Sequence, residues 1–270
     1  MKTSRILLIS LLFIGMNMQA QKIYIRAGLG AAVSTSADIV REFNYSSTSN
    51  TMTSKKAGLG TGLPFVLAPG YKFNDHFGVE LGINYFYGFT IKEKNEGYSS
   101  SEKKFHGQML SLVPAFIMTF AVDKIHPYAR LGLILGVMNS VIYKNHETSS
   151  PELKAATMEI DSKSKDYGGI AIGAQAALGT DYAISDKISL FGEIQVDGVS
   201  YAPKHGKYLE YSQNGVDVMG DRTVKQNKWD YKKEIDFTQT MPDDQPDQNP
   251  RVNHRFGNVG LIVGVKFNFK

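Results

Sequence analysis

Residues 77–91 read Phe77-Gly78-Val79-Glu80-Leu81-Gly82-Ile83-Asn84-Tyr85-Phe86-Tyr87-Gly88-Phe89-Thr90-Ile91, and the alternation never breaks. Every odd-numbered position is large and apolar or aromatic, while the even positions hold three glycines, Glu80, Asn84, Phe86 and Thr90. A side-chain period of two is the mark of a β-strand, here with one bulky face and one small or polar face. A soluble barrel or sandwich buries its bulky face and covers the other with charge. Here the second face is rich in glycine, which makes poor solvent-exposed strand. The pattern fits the reverse arrangement, with bulky side chains turned to lipid and small or polar ones in a narrow lumen.

The beginning of the chain agrees with that location. Lys2 and Arg5 make a positive start, Ile6 to Ile14 an apolar run too short to span a bilayer as a helix, and Met18-Gln19-Ala20 a small-residue cleavage site. Residues 1–20 are therefore expected to be a signal peptide and 21–270 the barrel domain. Without Lys2 and Arg5 the 30 basic residues become 28 against 26 acidic ones, a net charge of +2 instead of +4. Such a balance gives no pull toward nucleic acid. The chain has no cysteine, which excludes disulfides, thiol catalysis, cysteine zinc sites and an acylated lipoprotein cysteine.

Three related phrases, Asn74-Asp75-His76-Phe77, Val122-Asp123-Lys124-Ile125 and Ser185-Asp186-Lys187-Ile188, each join two alternating runs and read as tight hairpin turns. They organise eight strands, at roughly 22–34, 58–73, 77–92, 105–120, 126–142, 167–183, 187–201 and 255–269. The longer connections, at about 35–57, 93–104, 143–166 and 202–254, then fall on the opposite side. The predicted fold is all-β: an eight-stranded antiparallel up-and-down transmembrane barrel with short periplasmic turns, long outer loops and both termini in the periplasm. Pro64 and Pro69 are the local objection, because a regular interior strand disfavours proline. Aromatic residues on the lipid face form two groups, with Tyr71, Phe73, Phe77, Phe120, Tyr182, Phe267 and Phe269 near the turns and Tyr85, Tyr87 and Phe89 toward the loops. Amphipathic rings favour the two membrane interfaces.

In the last strand Leu261, Val263, Val265, Phe267 and Phe269 alternate with Gly260, Ile262, Gly264, Lys266 and Asn268. This resembles the C-terminal strand by which assembly machinery recognises outer-membrane barrels, although Lys270 follows the final aromatic. Together with Tyr128-Ala129-Arg130-Leu131-Gly132-Leu133 and Leu190-Phe191-Gly192-Glu193, the chain resembles the small outer-membrane β-barrel family of Gram-negative bacteria that includes OmpA-like and OmpW-like barrels. The resemblance covers the whole mature chain. It implies a place in the cell outer membrane, contact with lipid and lipopolysaccharide, and insertion by the barrel assembly machinery. Activities in the family differ, so the fold does not imply one of them. No further domain is expected after the last strand.

The alternation places Arg26, Lys72, Glu80, Arg130, Asp181, Glu193, Asp197 and Lys266 in the lumen, four of each sign and mostly in the periplasmic half. Buried ions need partners, so a neutralised network filling the barrel is expected. A conduit for small, apolar solutes is the alternative. Lipid-modifying barrel enzymes, the third reading, need a histidine beside a serine or carboxylate at the outer rim. No histidine here has a serine two residues away. His146 beside Glu147 and His205 near Glu210 remain as acid–base or metal pairs, although loop histidines without a second histidine are ordinarily solvated. Neither a catalytic residue nor a metal or cofactor site is predicted. The Ser/Thr/Asn-rich first loop suits a mobile hydrated segment. The fourth loop holds Trp229 with Tyr208, Tyr211 and Tyr231, a candidate surface for an extracellular ligand, and the Asp243-Asp244-Gln245-Pro246-Asp247 run reads as a flexible tip.

Overall fold

The structure, a computed structural model, describes residues 22–35, 38–45, 50–96, 99–120, 123–149, 157–236 and 240–269. The expected signal peptide lies outside them. Eight strands form the barrel: β1 (Lys22–Ser34), β2 (Gly62–Lys72), β3 (Phe77–Gly88), β4 (Ser99–Thr119), β5 (Ile125–Ser149), β6 (Ala171–Ala183), β7 (Ile188–Tyr201) and β8 (Asn258–Phe269). Each pairs antiparallel with the next, and β8 returns to pair with β1, for example Ala27 with Val265. The cylinder is closed, so no edge is left to hydrogen-bond in lipid.

The face assignment follows the sequence pattern. Leu81 is 45% exposed, and Ile83, Leu131, Leu133, Ile172, Leu178 and Leu261 also stand on the outer wall. Glu80, Asn84, Arg130, Gln175 and Ile262 are buried in the lumen. The turns use their polar residues as expected: Asn74 Oδ1 accepts from the backbone N–H groups of His76 and Phe77 at 2.9 and 2.8 Å, and Ser185 Oγ accepts from Ile188 N–H at 3.2 Å. Asp123 sits at φ 55°, a left-handed conformation that Asp tolerates. The prolines fit because each falls where one ladder lapses: β2 stops pairing with β3 at Ala68 and Pro69, between Leu67–Ile83 and Gly70–Glu80, and stops pairing with β1 at Leu63 and Pro64, between Phe65–Leu29 and Gly62–Ala32. Proline's missing N–H costs nothing there.

The outer connections differ from the loops expected. β4 and β5 run 21 and 25 residues, well above the lipid band, and Met158–Tyr167 continues their sheet where 143–166 reads as a loop. Asp38–Tyr45 and Asn50–Ala57 form a hairpin within the first connection. In the fourth, His205–Gln213 pairs with Met158–Tyr167 and with Lys228–Lys232, and Asp247–Pro250 adds a parallel strand, so part of the acidic run is sheet. A β-bulge hides the long β5 from periodicity. Leu110 pairs with Met138 but Ser111 with Gly136, so Val137 is an extra residue. Before it even-numbered residues of β5 face inward, such as Arg130 and Ile134; after it Asn139 and Val141 do.

Two kinds of filling occupy the barrel. Toward the periplasm lie the charged groups, and toward the outside an apolar plug of Leu59, Met109, Val113, Ile134, Val141, Ala171, Val199, Tyr201 and Phe256. Phe256 reaches this plug from the chain just before β8, where its N–H bonds to Val199 O at 3.1 Å.

Candidate functional site

β1, β3, β5 and β7 each turn an ion into one layer of the lumen because each carries it at an inward position. Arg26 Nη1 donates to Glu193 Oε2 at 2.6 Å and its Nη2 to Glu80 Oε2 at 3.1 Å. Arg130 Nη2 donates to Glu193 Oε1 at 2.5 Å, and its Nε lies 3.8 Å from Glu80 Oε2. Two guanidiniums thus share two carboxylates, a neutral quartet in which both arginines are only 1% exposed. Low dielectric makes such a set strong when complete and costly when broken. Tyr128 O–H donates to Glu193 at 2.8 Å and Tyr24 O–H to Glu80 at 2.9 Å. The Phe191 ring lies 4.6 Å from the Arg26 guanidinium carbon.

Arg130 also extends the network toward the plug. Its donors reach Gln175 Oε1 at 2.8 Å and Gln195 Oε1 at 3.1 Å, and the amide groups of both glutamines donate to the two oxygens of Asp197 at 2.9 and 2.8 Å. Toward the periplasm Lys266 pairs with Asp181, and its ammonium sits 4.6 Å from the centre of the Tyr24 ring. Tyr24 in turn lies flat on β2, where a Cβ at Gly70 would come within 2.2 Å of the ring. The structure joins seven of the eight expected lumen ions through these bonds and ring contacts, and Lys72 stands half-buried at the periplasmic end of β2. Tyr24, Tyr128, Gln175 and Gln195 complete the set. Their inward parity was readable from the sequence, but a search for charge passes over neutral donors. Between network and plug a cavity of about 30 Å³, lined by Asn84, Ser111, Gln175, Asp197 and Phe256 among others, has room for one or two waters.

The outer aromatic residues divide into two groups. Tyr208 meets Trp229 and Tyr211 edge-on, with ring centres 5.4 and 5.3 Å apart. Arg222 stacks its guanidinium 3.7 Å from the centre of the Tyr211 ring. Trp229 can lie so low because its strand partner is Gly206; a Cβ there would come within 2.0 Å of the indole. Tyr208, Trp229, Arg222, Asp243 and Asn249 line a cavity of about 480 Å³. Rings, a guanidinium, a carboxylate and an amide around one hollow suit a polar ligand with flat apolar patches. Tyr231, two residues from Trp229 on the same strand, does not line this hollow. It donates to buried Asp166 at 2.9 Å, and His254 Nε2 lies 3.5 Å from the same carboxylate. Burial first and then Asp166 push the phenols of Tyr231 and Tyr143 up, so both stay protonated donors.

The histidine pairs are not those the sequence suggested. His205 Nδ1 contacts Asp230 at 2.7 Å, while Glu210 takes Lys163 at 2.6 Å. His146 lies between Asp161 at 2.7 Å and Glu159 at 3.7 Å, partners that come from the neighbouring strand. These three residues each offer one donor within 4.8 Å of the others. The ring meets a different acid at each nitrogen, which is the geometry of an ion pair bridging two strands.

Comparison with known proteins gives one decisive match. The outer membrane protein beta-barrel domain family matches residues 6–220 of the chain. The chain belongs to this family. An outer membrane protein beta-barrel domain accounts for the exposed apolar band, the closed eight-strand cylinder and the outer-membrane location together. Among solved structures the chain is similar to Neisserial surface protein A, at 13% identity over 92% of this chain and 97% of that one, with a TM-score of 0.33. No curated protein matches it.

Proposed function

We propose that this outer-membrane barrel is non-enzymatic, with a lumen that serves as a structural plug and an outer sheet that is the working surface. The observation that carries this reading is the filled lumen: a neutral ionic layer, a glutamine–aspartate layer and an apolar layer follow one another, with only the space of one or two waters between them. An eight-stranded barrel is just wide enough for its side chains to fill. The outer sheet, by contrast, carries the largest hollow described above, beside Tyr208, Tyr211 and Trp229. An extracellular ligand belongs there. The leader ending near Ala20 would be removed on export, and the alternating β8 would be read by the assembly machinery. Among the described residues no outer histidine hydrogen-bonds a serine, and His146 and His205 are held by Asp161 and Asp230 in exposed ion pairs that bridge strands.

Planar-bilayer recording of the purified protein tests the plug. The expected result is no steady ion conductance. A stable conductance whose selectivity changes in Arg130→Ala would favour a conduit instead.

A further inference from the structure

The outward face of the sheet above the membrane is ordered by charge. Lys92 pairs with Lys104, Lys104 with Lys144, and Lys144 with Lys163, so four lysines stand side by side on four neighbouring strands. One step closer to the membrane, Lys165 pairs with Lys207 and Lys207 with Lys228. Direct cross-strand partners share a face, and like charges so placed repel each other. Seven lysines in two adjoining rows therefore weaken the sheet unless an anion lies across them.

The protein answers only part of this charge. Glu102 holds Lys104 at 3.0 Å and Glu210 holds Lys163 at 2.6 Å. Among the described residues no ion pair joins Lys92, Lys144, Lys165, Lys207 or Lys228 to an acid, although Lys207 Nζ lies 5.6 Å from the centre of the Tyr167 ring. Of the other acids of this face, Asp161 and Asp217 align with Lys94, Glu102 and His146 in the row farther from the membrane, and Glu159 lies one step beyond it. In the row nearest the membrane Asp230 is taken by His205. Positive charge thus faces the lipid boundary and negative charge faces away from it.

Below Lys165 the wall is hollow. A groove of about 410 Å³ is lined at its lower end by Leu110, Val137 and Met138, and at its upper end by Gln108, Ser140, Lys165 and Tyr167. Met138 is 70% exposed on the outer wall, so the lower end opens onto the lipid face. The bulge at Val137 and the left-handed Gly168 and Gly169 open this gap by turning their strands aside. Ile142, level with Lys165, is four residues above Met138. That is about 13 Å along the strand and about 10 Å along the membrane normal at a tilt of about 40°. This is headgroup height.

The geometry points to a docking site on the outer wall for a phosphorylated glycolipid of the outer leaflet, with an acyl chain along Leu110, Val137 and Met138 and its phosphates on Lys144, Lys165 and Lys207. An apolar groove that continues the lipid face and ends under a basic double row matches an amphipathic anion of that kind. A soluble anion has no use for the groove. The surface is distinct from the hollow at Trp229.

Native mass spectrometry of the folded protein, released from detergent with defined lipids, tests this. The probes are bisphosphorylated lipid A, the same lipid stripped of its phosphates, and inorganic phosphate. Wild type should retain the phosphorylated lipid at least 10-fold better than the stripped one. The Lys144→Gln/Lys165→Gln/Lys207→Gln variant should bind it about 100-fold more weakly, about 5-fold per lysine. A control variant, Lys124→Gln/Lys187→Gln/Lys233→Gln, removes equal charge elsewhere and should bind as wild type does. Gel mobility without boiling reports folding of each. Equal retention of both lipids by wild type, which needs no variant, would overturn the proposal. So would a triple variant within 3-fold of wild type, or inorganic phosphate bound through the same lysines with no preference for the lipid.

Discussion

Glu193 is the residue on which the lumen network turns, so Glu193→Gln is the sharpest perturbation of it. The carboxylate accepts from Arg26 at 2.6 Å, from Arg130 at 2.5 Å and from Tyr128 at 2.8 Å, and it is buried. Glutamine keeps the volume but removes the charge and turns an N–H₂ group toward guanidinium donors. Two buried arginines are then left with one carboxylate, Glu80. Removing one partner of a buried ion pair costs about 3–5 kcal/mol. With a urea slope of about 2 kcal/mol per molar, the unfolding midpoint in lipid vesicles should fall by about 2 M. The assay is urea titration read by the shift between folded and unfolded bands on unboiled gels. Arg130→Gln added to Glu193→Gln should lose less than the sum of the two, by about 1–3 kcal/mol, because the stranded charge is gone. A midpoint within about 0.3 M of wild type for Glu193→Gln, or strict additivity in the pair, would refute the idea of a mutually dependent quartet.

Three further outcomes follow from the same geometry. Leu81→Arg, on the exposed lipid face of β3, should cost about 2–4 kcal/mol in the same titration, while Asn84→Ser in the lumen should cost less; equal costs would reverse the face assignment. Gly206→Val should lift the only tryptophan off its strand and shift Trp229 fluorescence to the red, and an unchanged spectrum would contradict the packing described. The Asp161 hydrogen bond holds the His146 imidazolium above the ordinary histidine range, so an NMR titration should show a raised midpoint that Asp161→Asn lowers. A folded-state pKa above the unfolded one means this contact supports the outer sheet at low pH and is lost as pH rises through the folded value.

The transmembrane part of this fold was legible because lipid enforces strict alternation. Residues 77–88 show both faces without interruption, the pattern breaking only at Phe89 and Thr90, after which Ile91 packs on the inner plug, and the turns announce themselves through Asn74, Asp123 and Ser185. Above the membrane both faces of a strand meet polar surroundings, and the pattern loses contrast. The bulge at Val137 then inverts the parity of β5, so Val141 and Tyr143 point inward where simple continuation puts them outside. Lumen ions could be read from parity, but their grouping could not, since Arg26 and Glu193 meet across the barrel from 167 residues apart. Likewise Tyr231 shares a strand face with Trp229, two residues away, yet serves Asp166, a partner 65 residues off in sequence that periodicity cannot name.

A lumen filled in this way leaves no continuous water path across the barrel. The native chain has no cysteine, so a single engineered thiol reports accessibility without background. Ser111→Cys places one beside the small mid-lumen cavity, and Gly220→Cys places one on the exposed outer segment. With the protein folded in vesicles, a charged, water-soluble maleimide should modify the Gly220→Cys thiol within minutes and leave the Ser111→Cys thiol unmodified until the barrel is unfolded in urea. Comparable labelling rates at both positions in the folded protein would contradict a filled lumen.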